Sequence, residues 1–124
     1  SWERGIIEKG DLRLETENLL VFRNSKSFVR LSLEQFRFLF ILIVRSPCFV
    51  SEDDILEFLS GAGITPDKLD ALRGLAARLR AKLGPRLGRR IKNKSSCGWI
   101  YVQPPEDKRR ASKKRLAGRD LSPK

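Results

Sequence analysis

Residues 65–83 read TPDKLDALRGLAARLRAKL, and residues 89–102 read RRIKNKSSCGWIYV. The first stretch opens with Thr-Pro, the usual order of an N-cap and first helical residue, and its leucines and alanines recur every three or four positions. It therefore predicts a helix over residues 66–83 that ends before Gly-Pro. In the second stretch, two strand-like runs flank the turn residues 95–98, which predicts a β-hairpin over residues 89–102.

The thirty residues at the N-terminus predict an antiparallel sheet. Their apolar or alternating runs are short, and Gly, Asn, Asp, Ser and charged residues separate them. The four predicted strands contain Ile6-Ile7, Leu12 to Glu15, Leu19 to Phe22 and Phe28 to Leu31.

Two helices are predicted between this sheet and the third helix. Ser32 and Gln35 have the spacing of a capping box, and the helix that they open is apolar nearly all round up to Val44, as expected of a central helix. It ends at Ser46-Pro47. A second helix begins at Ser51 and ends before a Gly-Ala-Gly linker.

The acids Glu52, Asp53 and Asp54 open the second helix. They could be read as a metal-binding or general-base cluster, but contiguous positions fan out around a helix, whereas such chemistry needs carboxylates that converge. Stabilisation of the helix N-terminus is the favoured interpretation.

Together these elements predict an α+β winged helix-turn-helix: an N-terminal antiparallel sheet, a three-helix core and a C-terminal hairpin wing. The predicted organisation is a lead-in over residues 1–9, the winged-helix domain over residues 10–103 and a basic tail over residues 104–124. The tail has no apolar periodicity, so we expect it to be disordered.

The net charge of +11 is concentrated in two places. Residues 73–94 contain nine basic and no acidic residues, and residues 104–124 contain eight basic and three acidic ones, whereas residues 1–72 are slightly acidic. Such a distribution indicates a polyanion partner, either nucleic acid or an anionic membrane surface.

The outward face of the third helix is narrow and cationic. Gly74, Ala77 and Ala81 lie at its centre; Arg73 and Arg80 flank it on one edge, and Arg78 and Lys82 on the other. A glycine inside an exposed helix costs roughly 1 kcal/mol relative to alanine, so its presence suggests close approach by another molecule. A helix of this shape fits a DNA major groove, although a solvated helix that tolerates glycine is the plainer alternative.

Several function classes are excluded or disfavoured. The chain has no His, which removes His-based acid/base catalysis and His-containing zinc sites, so we expect no enzyme activity, metal or cofactor. Cys48 and Cys97 stand far apart, which favours reduced thiols. The longest apolar run, residues 38–44, is too short to cross a bilayer, and we expect a cytoplasmic, nucleoid-associated protein with no membrane segment within this chain.

Three stretches resemble the OmpR/PhoB-type winged-helix DNA-binding domain of bacterial response regulators over roughly residues 10–103. Residues 31–39 are similar to its L-[TS]-x-x-E-F-x-L-L helix start, residues 49–56 to V-x-S-R-E-x-L, and residues 78–83 to R-L-R-x-K-L. The wing signature I-x-T-V-R-G-x-G-Y is only partly matched from residue 91 to residue 99. The resemblance implies a transcription regulator that binds double-stranded DNA, with a second copy on tandem half-sites and RNA polymerase as further partners.

The chain departs from this family at several positions. The family's minor-groove Arg falls on Ser95 and its wing Thr on Asn93, while a position often polar in the third helix falls on Leu75 and a frequent Arg on Ala77. The loop through Thr65, which in family members can touch RNA polymerase, lacks the preceding Trp. No receiver domain precedes residue 10, so we expect an excised effector domain or a stand-alone relative.

The predicted function is sequence-specific DNA binding, with helix 66–83 in the major groove and wing 89–102 on the adjacent backbone or minor groove. The alternative is a winged-helix module for a protein or RNA partner with non-specific polyanion affinity. The predicted DNA-binding residues are Arg73, Gly74, Ala77, Arg78, Arg80, Lys82, Arg90, Lys92, Asn93, Lys94 and Ser95.

Overall fold

The computed structural model describes residues 5–61 and 69–103. Its elements, in chain order, are β1 (Ile6–Lys9), β2 (Leu12–Glu15), β3 (Leu20–Arg23), β4 (Lys26–Arg30), α1 (Leu33–Arg45), α2 (Glu52–Ser60), α3 (Leu69–Gly88), β5 (Ile91–Lys94) and β6 (Gly98–Tyr101). This is the predicted α+β winged-helix architecture. The predicted tail, residues 104–124, lies outside the described residues.

The first four strands form one antiparallel sheet in the order β1-β2-β3-β4. Leu12 and Leu14 of β2 and Val21 of β3 face the core. β1 pairs with β2 along its whole length, from Ile6 opposite Glu15 to Lys9 opposite Leu12. The sheet therefore begins at Ile6, inside the lead-in predicted over residues 1–9.

Helix α1 lies at the centre of the domain and packs against α2, α3 and β6. The predicted capping box forms: Ser32 Oγ accepts from the Gln35 amide at 3.2 Å, and Gln35 Oε1 accepts from the Ser32 amide at 3.0 Å. Every residue from Gln35 to Ile43 is buried. Val44 is the exception to the predicted all-round burial, because it is 52% exposed in the last turn.

Helix α2 begins where the sequence predicts. Ser51 Oγ accepts from the Asp54 amide at 3.1 Å, and three carboxylates occupy the first turn. The Asp54 carboxylate lies 3.6 Å from Arg45 at the end of α1, so this acid contacts a neighbouring helix rather than converging with Glu52 and Asp53 on one point.

Helix α3 is interrupted where its end was predicted. Gly84 has φ +89° and ψ 170°, a conformation outside the helical region, and a further helical turn follows Pro85 up to Gly88. The prediction of a stop at Gly84 is thus correct for the main helix and misses the extra turn. The predicted start, residues 65–68, lies outside the described residues.

The wing comprises β5, a turn and β6, residues 91–101, and its strands are shorter than predicted at their outer ends. A third short segment joins it, since Val50 and Trp99 exchange backbone hydrogen bonds of 2.7 and 2.9 Å. Trp99 and Tyr101 of β6 are buried against the helices. The wing is therefore anchored to the loop that precedes α2.

No helix in the described residues is both long and apolar enough to span a membrane. Cys48 and Cys97 are free thiols, and both are exposed.

Candidate nucleic-acid interface

Helix α3 presents one apolar and one cationic face. Its apolar face lies in the core, with Leu72, Leu75, Ala76, Leu79 and Leu83 buried. Solvent reaches the opposite face, where the exposed residues are Arg73, Ala77, Arg78, Ala81 and Lys82. The small side chains at positions 77 and 81 leave the helix backbone approachable between cations.

Gly74 lies half-buried near the start of this face. A β-carbon built there would lie 3.5 Å from Nη1 of Arg78, an ordinary van der Waals distance. The guanidinium of Arg78, one helical turn further along α3, thus packs beside Gly74. Nothing in the described part of the chain requires a glycine at this position.

Replacement of Gly74 by alanine tests why the glycine is there. Since the β-carbon fits and the helix gains propensity, Gly74→Ala is expected to raise the free energy of unfolding by about 0.5–1 kcal/mol, measured in urea. If a nucleic acid approaches the backbone here, the same variant binds duplex DNA more weakly. Unchanged binding would favour the solvated-helix interpretation of Gly74.

The tip of the wing supplies the second group of cations. Lys92, Asn93, Lys94 and Ser95 are all exposed. The turn is closed by a 2.9 Å hydrogen bond from the Cys97 amide to the Lys94 carbonyl. These side chains are free to contact a ligand, while Ile91 at the base of β5 is buried and holds the strand in place.

Arg80 has a different environment from the other cations of α3. Its Nε and Nη2 both donate to the Ile91 carbonyl, at 3.2 and 2.8 Å, and its guanidinium carbon lies 5.6 Å from the Trp99 ring centroid. Arg80 therefore ties α3 to β5. An open groove of about 480 Å³ lies beside this contact, with Arg89 and Lys92 among its lining residues.

Arg90 is placed in the interior, at 8% exposure. Its Nη1 and Nη2 donate to the two carboxylate oxygens of Asp11 at 2.8 and 2.9 Å, and Nη1 also donates to the Tyr101 hydroxyl at 2.7 Å. Arg23 Nε donates to the same carboxylate at 3.3 Å. Arg90 thus joins the N-terminal sheet to the wing and has no exposed guanidinium to offer a polyanion.

The charges of this buried cluster stabilise each other. Burial raises the pKa of the Asp11 carboxyl, but the hydrogen bonds and charge of Arg90, with the Arg23 bond, outweigh it and hold the pKa below its ordinary value. Burial lowers the pKa of Arg90, and the bonds with Asp11 and Tyr101 more than reverse this. Both groups remain charged at neutral pH.

The lowered pKa of Asp11 predicts a loss of stability in acid. The stabilisation is complete above the unfolded carboxyl pKa of about 4, and it is lost as the pH falls through the lower folded value. The difference in free energy of unfolding between the native chain and Asp11→Asn should therefore narrow as the pH falls from about 6 to about 3. Glu17→Gln, at an exposed position, is the control and should show no comparable change.

The predicted interface residues divide into three groups by exposure. Gly74 and Arg80 are half-buried and Arg90 is buried; the exposed group is Arg73, Ala77, Arg78, Lys82, Lys92, Asn93, Lys94 and Ser95. Asp11, which organises the cluster around Arg90, was not among the predicted site residues. Its turn context, Lys-Gly-Asp, gave no signal for a partner 79 residues away.

A sheet, three helices and a hairpin in this order, with an exposed cationic third helix and a cationic wing tip, define the winged-helix class of DNA-binding domains. Within that class the chain has the fold of the OmpR/PhoB-type response-regulator domains, which confirms the resemblance predicted from its motifs.

Three solved structures illustrate the match. The DNA-binding domain of Klebsiella pneumoniae RstA, in complex with the RstA box, is 26% identical, with a TM-score of 0.64 and coverage of 78% of this chain and 96% of that one. The C-terminal domain of the nisin resistance regulator NsrR is 26% identical, with a TM-score of 0.66 and coverages of 78% and 97%. The effector domain of Acinetobacter baumannii BfmR is also 26% identical, with a TM-score of 0.57 and coverages of 82% and 94%. Neither a family model nor a curated protein matches the sequence.

Proposed function

We propose that this chain is a sequence-specific double-stranded DNA-binding protein and a regulator of transcription. In this proposal α3 enters a major groove, and the wing tip contacts the adjacent sugar-phosphate backbone. The observation that carries it is the exposed cationic face of α3, which stands on a fold shared with a domain solved on its DNA site.

The exposed residues of α3 suit two kinds of contact. Ala77 and Ala81 are small, so the helix can lie deep in a groove about 12 Å wide. Arg73 and Arg78 are long enough to reach base edges, where an arginine pairs with the two acceptors of guanine. Lys82 is a point charge suited to phosphate.

The wing has the composition of a backbone contact. Lys92 and Lys94 are cations that fit phosphates, and Asn93 and Ser95 offer neutral hydrogen bonds. With serine at position 95 in place of the family's arginine, we propose that the wing lies along the backbone rather than reading a narrow minor groove. Base readout is then carried mainly by α3.

Two further partners remain predictions. A second copy on tandem half-sites and RNA polymerase both follow from the family resemblance, and the loop through Thr65, which can touch the polymerase in family members, lies outside the described residues.

The decisive measurement is repeated selection of the purified chain on a random pool of duplex DNA at near-physiological salt. The native chain is expected to enrich a common motif, and Arg78→Ala is expected to lose about 1–3 kcal/mol of binding free energy and relax the preference at one base position. Arg30→Ala removes the same charge from an exposed position on β4 and should enrich the native motif.

A different outcome would support the alternative function. If the pool stays random and both variants bind like the native chain in a salt-sensitive way, sequence-specific recognition is overturned. The cationic surface would then serve general polyanion affinity in a protein- or RNA-binding module.

A further inference from the structure

We propose that Asp11 is a positioning residue for DNA binding: through Arg90 it fixes the wing at the angle at which Lys92 and Lys94 reach the same duplex as α3. The inference rests on the proposed function and adds to it a residue outside the helices and the wing.

Asp11 is held firmly on its own side. It lies in the turn between β1 and β2, its carbonyl accepts from the Asn24 amide at 2.8 Å, and its carboxylate accepts from Arg23 at 3.3 Å. The side chain is only 9% exposed. Two neighbouring turns of the sheet thus orient this carboxylate toward the wing.

The wing meets this turn at the base of both its strands. Arg90 precedes β5 and bonds Asp11 with both terminal nitrogens, while its carbonyl accepts from the Val102 amide at 2.8 Å just after β6. Gln103 packs against the same turn so closely that a β-carbon at Gly10, where φ is +60°, would overlap its amide. The contacts of Asp11 and its turn therefore hold the hairpin at the point where its two strands leave the rest of the domain.

A paired, planar contact restricts orientation as well as distance. The fork of a guanidinium on a carboxylate allows little rotation, and it therefore fixes the direction of approach as well as the separation. Arg80 fixes the wing to α3, and Val50 fixes it to the loop that precedes α2. The Asp11–Arg90 pair adds the restraint from the sheet, and together the three contacts set the angle of the hairpin.

The test uses the full chain and a fluorescein-labelled duplex of random sequence, with binding followed by anisotropy over a range of salt concentrations. Lys94→Ala is made in the native chain and in Asp11→Asn/Arg90→Gln, which removes both charges and leaves the net charge unchanged. Lys82→Ala is made in the same two backgrounds as the control for a phosphate contact on α3. Circular dichroism checks that each variant is folded.

In the native chain, Lys94→Ala is expected to lower the salt slope by about one unit, the loss of one phosphate contact. In the pair-deleted chain it should cause no further change, because the wing no longer holds Lys94 against the duplex. Lys82→Ala should lower the salt slope equally in both backgrounds. An undiminished Lys94 effect in the pair-deleted chain would overturn the positioning role.

Arg90→Lys repeats the comparison if the pair-deleted chain fails to fold. It keeps the buried charge and loses the two-pronged geometry, so the Lys94 effect should shrink although the ion pair persists; an unchanged effect would again overturn the inference. If neither Lys82→Ala nor Lys94→Ala changes binding by the native chain, the proposed function itself fails, a result distinct from loss of coupling alone.

Discussion

Replacement of Trp99 by alanine is expected to lower the free energy of unfolding by about 3–5 kcal/mol, the usual cost of removing a large buried aromatic side chain. Trp99 is 2% exposed and meets the Phe38 ring edge to face, with centroids 5.4 Å apart. The guanidinium carbon of Arg80 lies over the Trp99 ring, 5.6 Å from its centroid. Alanine would leave a cavity where β6 packs on α1, and Arg80 would lose its aromatic neighbour.

Trp99→Phe is the matched control, measured beside Trp99→Ala by urea denaturation. The indole Nε1 is buried without a hydrogen-bond partner in the described part of the chain. Phenylalanine removes this orphaned donor and keeps an aromatic ring for Phe38, so it should cost far less than alanine. Equal losses for the two variants would mean that the ring contact with Phe38 contributes little to stability.

Gly98→Ala is expected to be as damaging, with a loss of about 4 kcal/mol or more. Gly98 has φ +110°, where side chains are rarely tolerated, and a β-carbon there would overlap the carbonyl of Val50. That carbonyl cannot move away without breaking its 2.9 Å hydrogen bond from the Trp99 amide. The turn of the wing would therefore open, or the loop that precedes α2 would shift.

Gly84→Ala separates the two causes of the loss at Gly98, which are backbone strain at a positive φ and overlap with the Val50 carbonyl. Gly84 also has a positive φ, +89°, but a β-carbon there meets no atom within 4 Å. Its replacement should cost only backbone strain, about 1–3 kcal/mol. If thermal unfolding shows the two variants to be equally destabilised, the approach of Val50 to Gly98 is not the source of the damage.

The sequence predicted the elements that depend on neighbouring residues. The capping box of Ser32 and Gln35, the cap at Ser51 and the core stripe of α3 each need contacts only three or four residues apart, and all three are observed. The short apolar or alternating runs of the first thirty residues likewise predicted an antiparallel sheet, and the four strands are observed. Such signals are local, so they can be read before the tertiary contacts are known.

The roles of two arginines could not be read in this way. Periodicity placed Arg80 at the edge of the outward face, but only the fold brings the Ile91 carbonyl within reach of it. Arg90 stands in a basic run typical of an exposed surface. It is buried because its guanidinium donates to the carboxylate of Asp11, 79 residues earlier in the chain. Charge patterning indicates where cations concentrate and does not distinguish those that bind inside the domain from those that face a ligand.

The 79 residues that separate Asp11 from Arg90 also affect how the chain folds while it is synthesised. Strands β1 to β4 pair with their sequence neighbours and can form as soon as they emerge from the ribosome. Arg90 must be translated before Asp11 can form its paired contact, and the Ser46 hydroxyl cannot donate to the Tyr101 carbonyl until residue 101 has been added. We therefore expect a nascent chain stalled before residue 90 to be more easily cut by proteases than the released protein, with the last dozen residues of the domain closing it in a single late step.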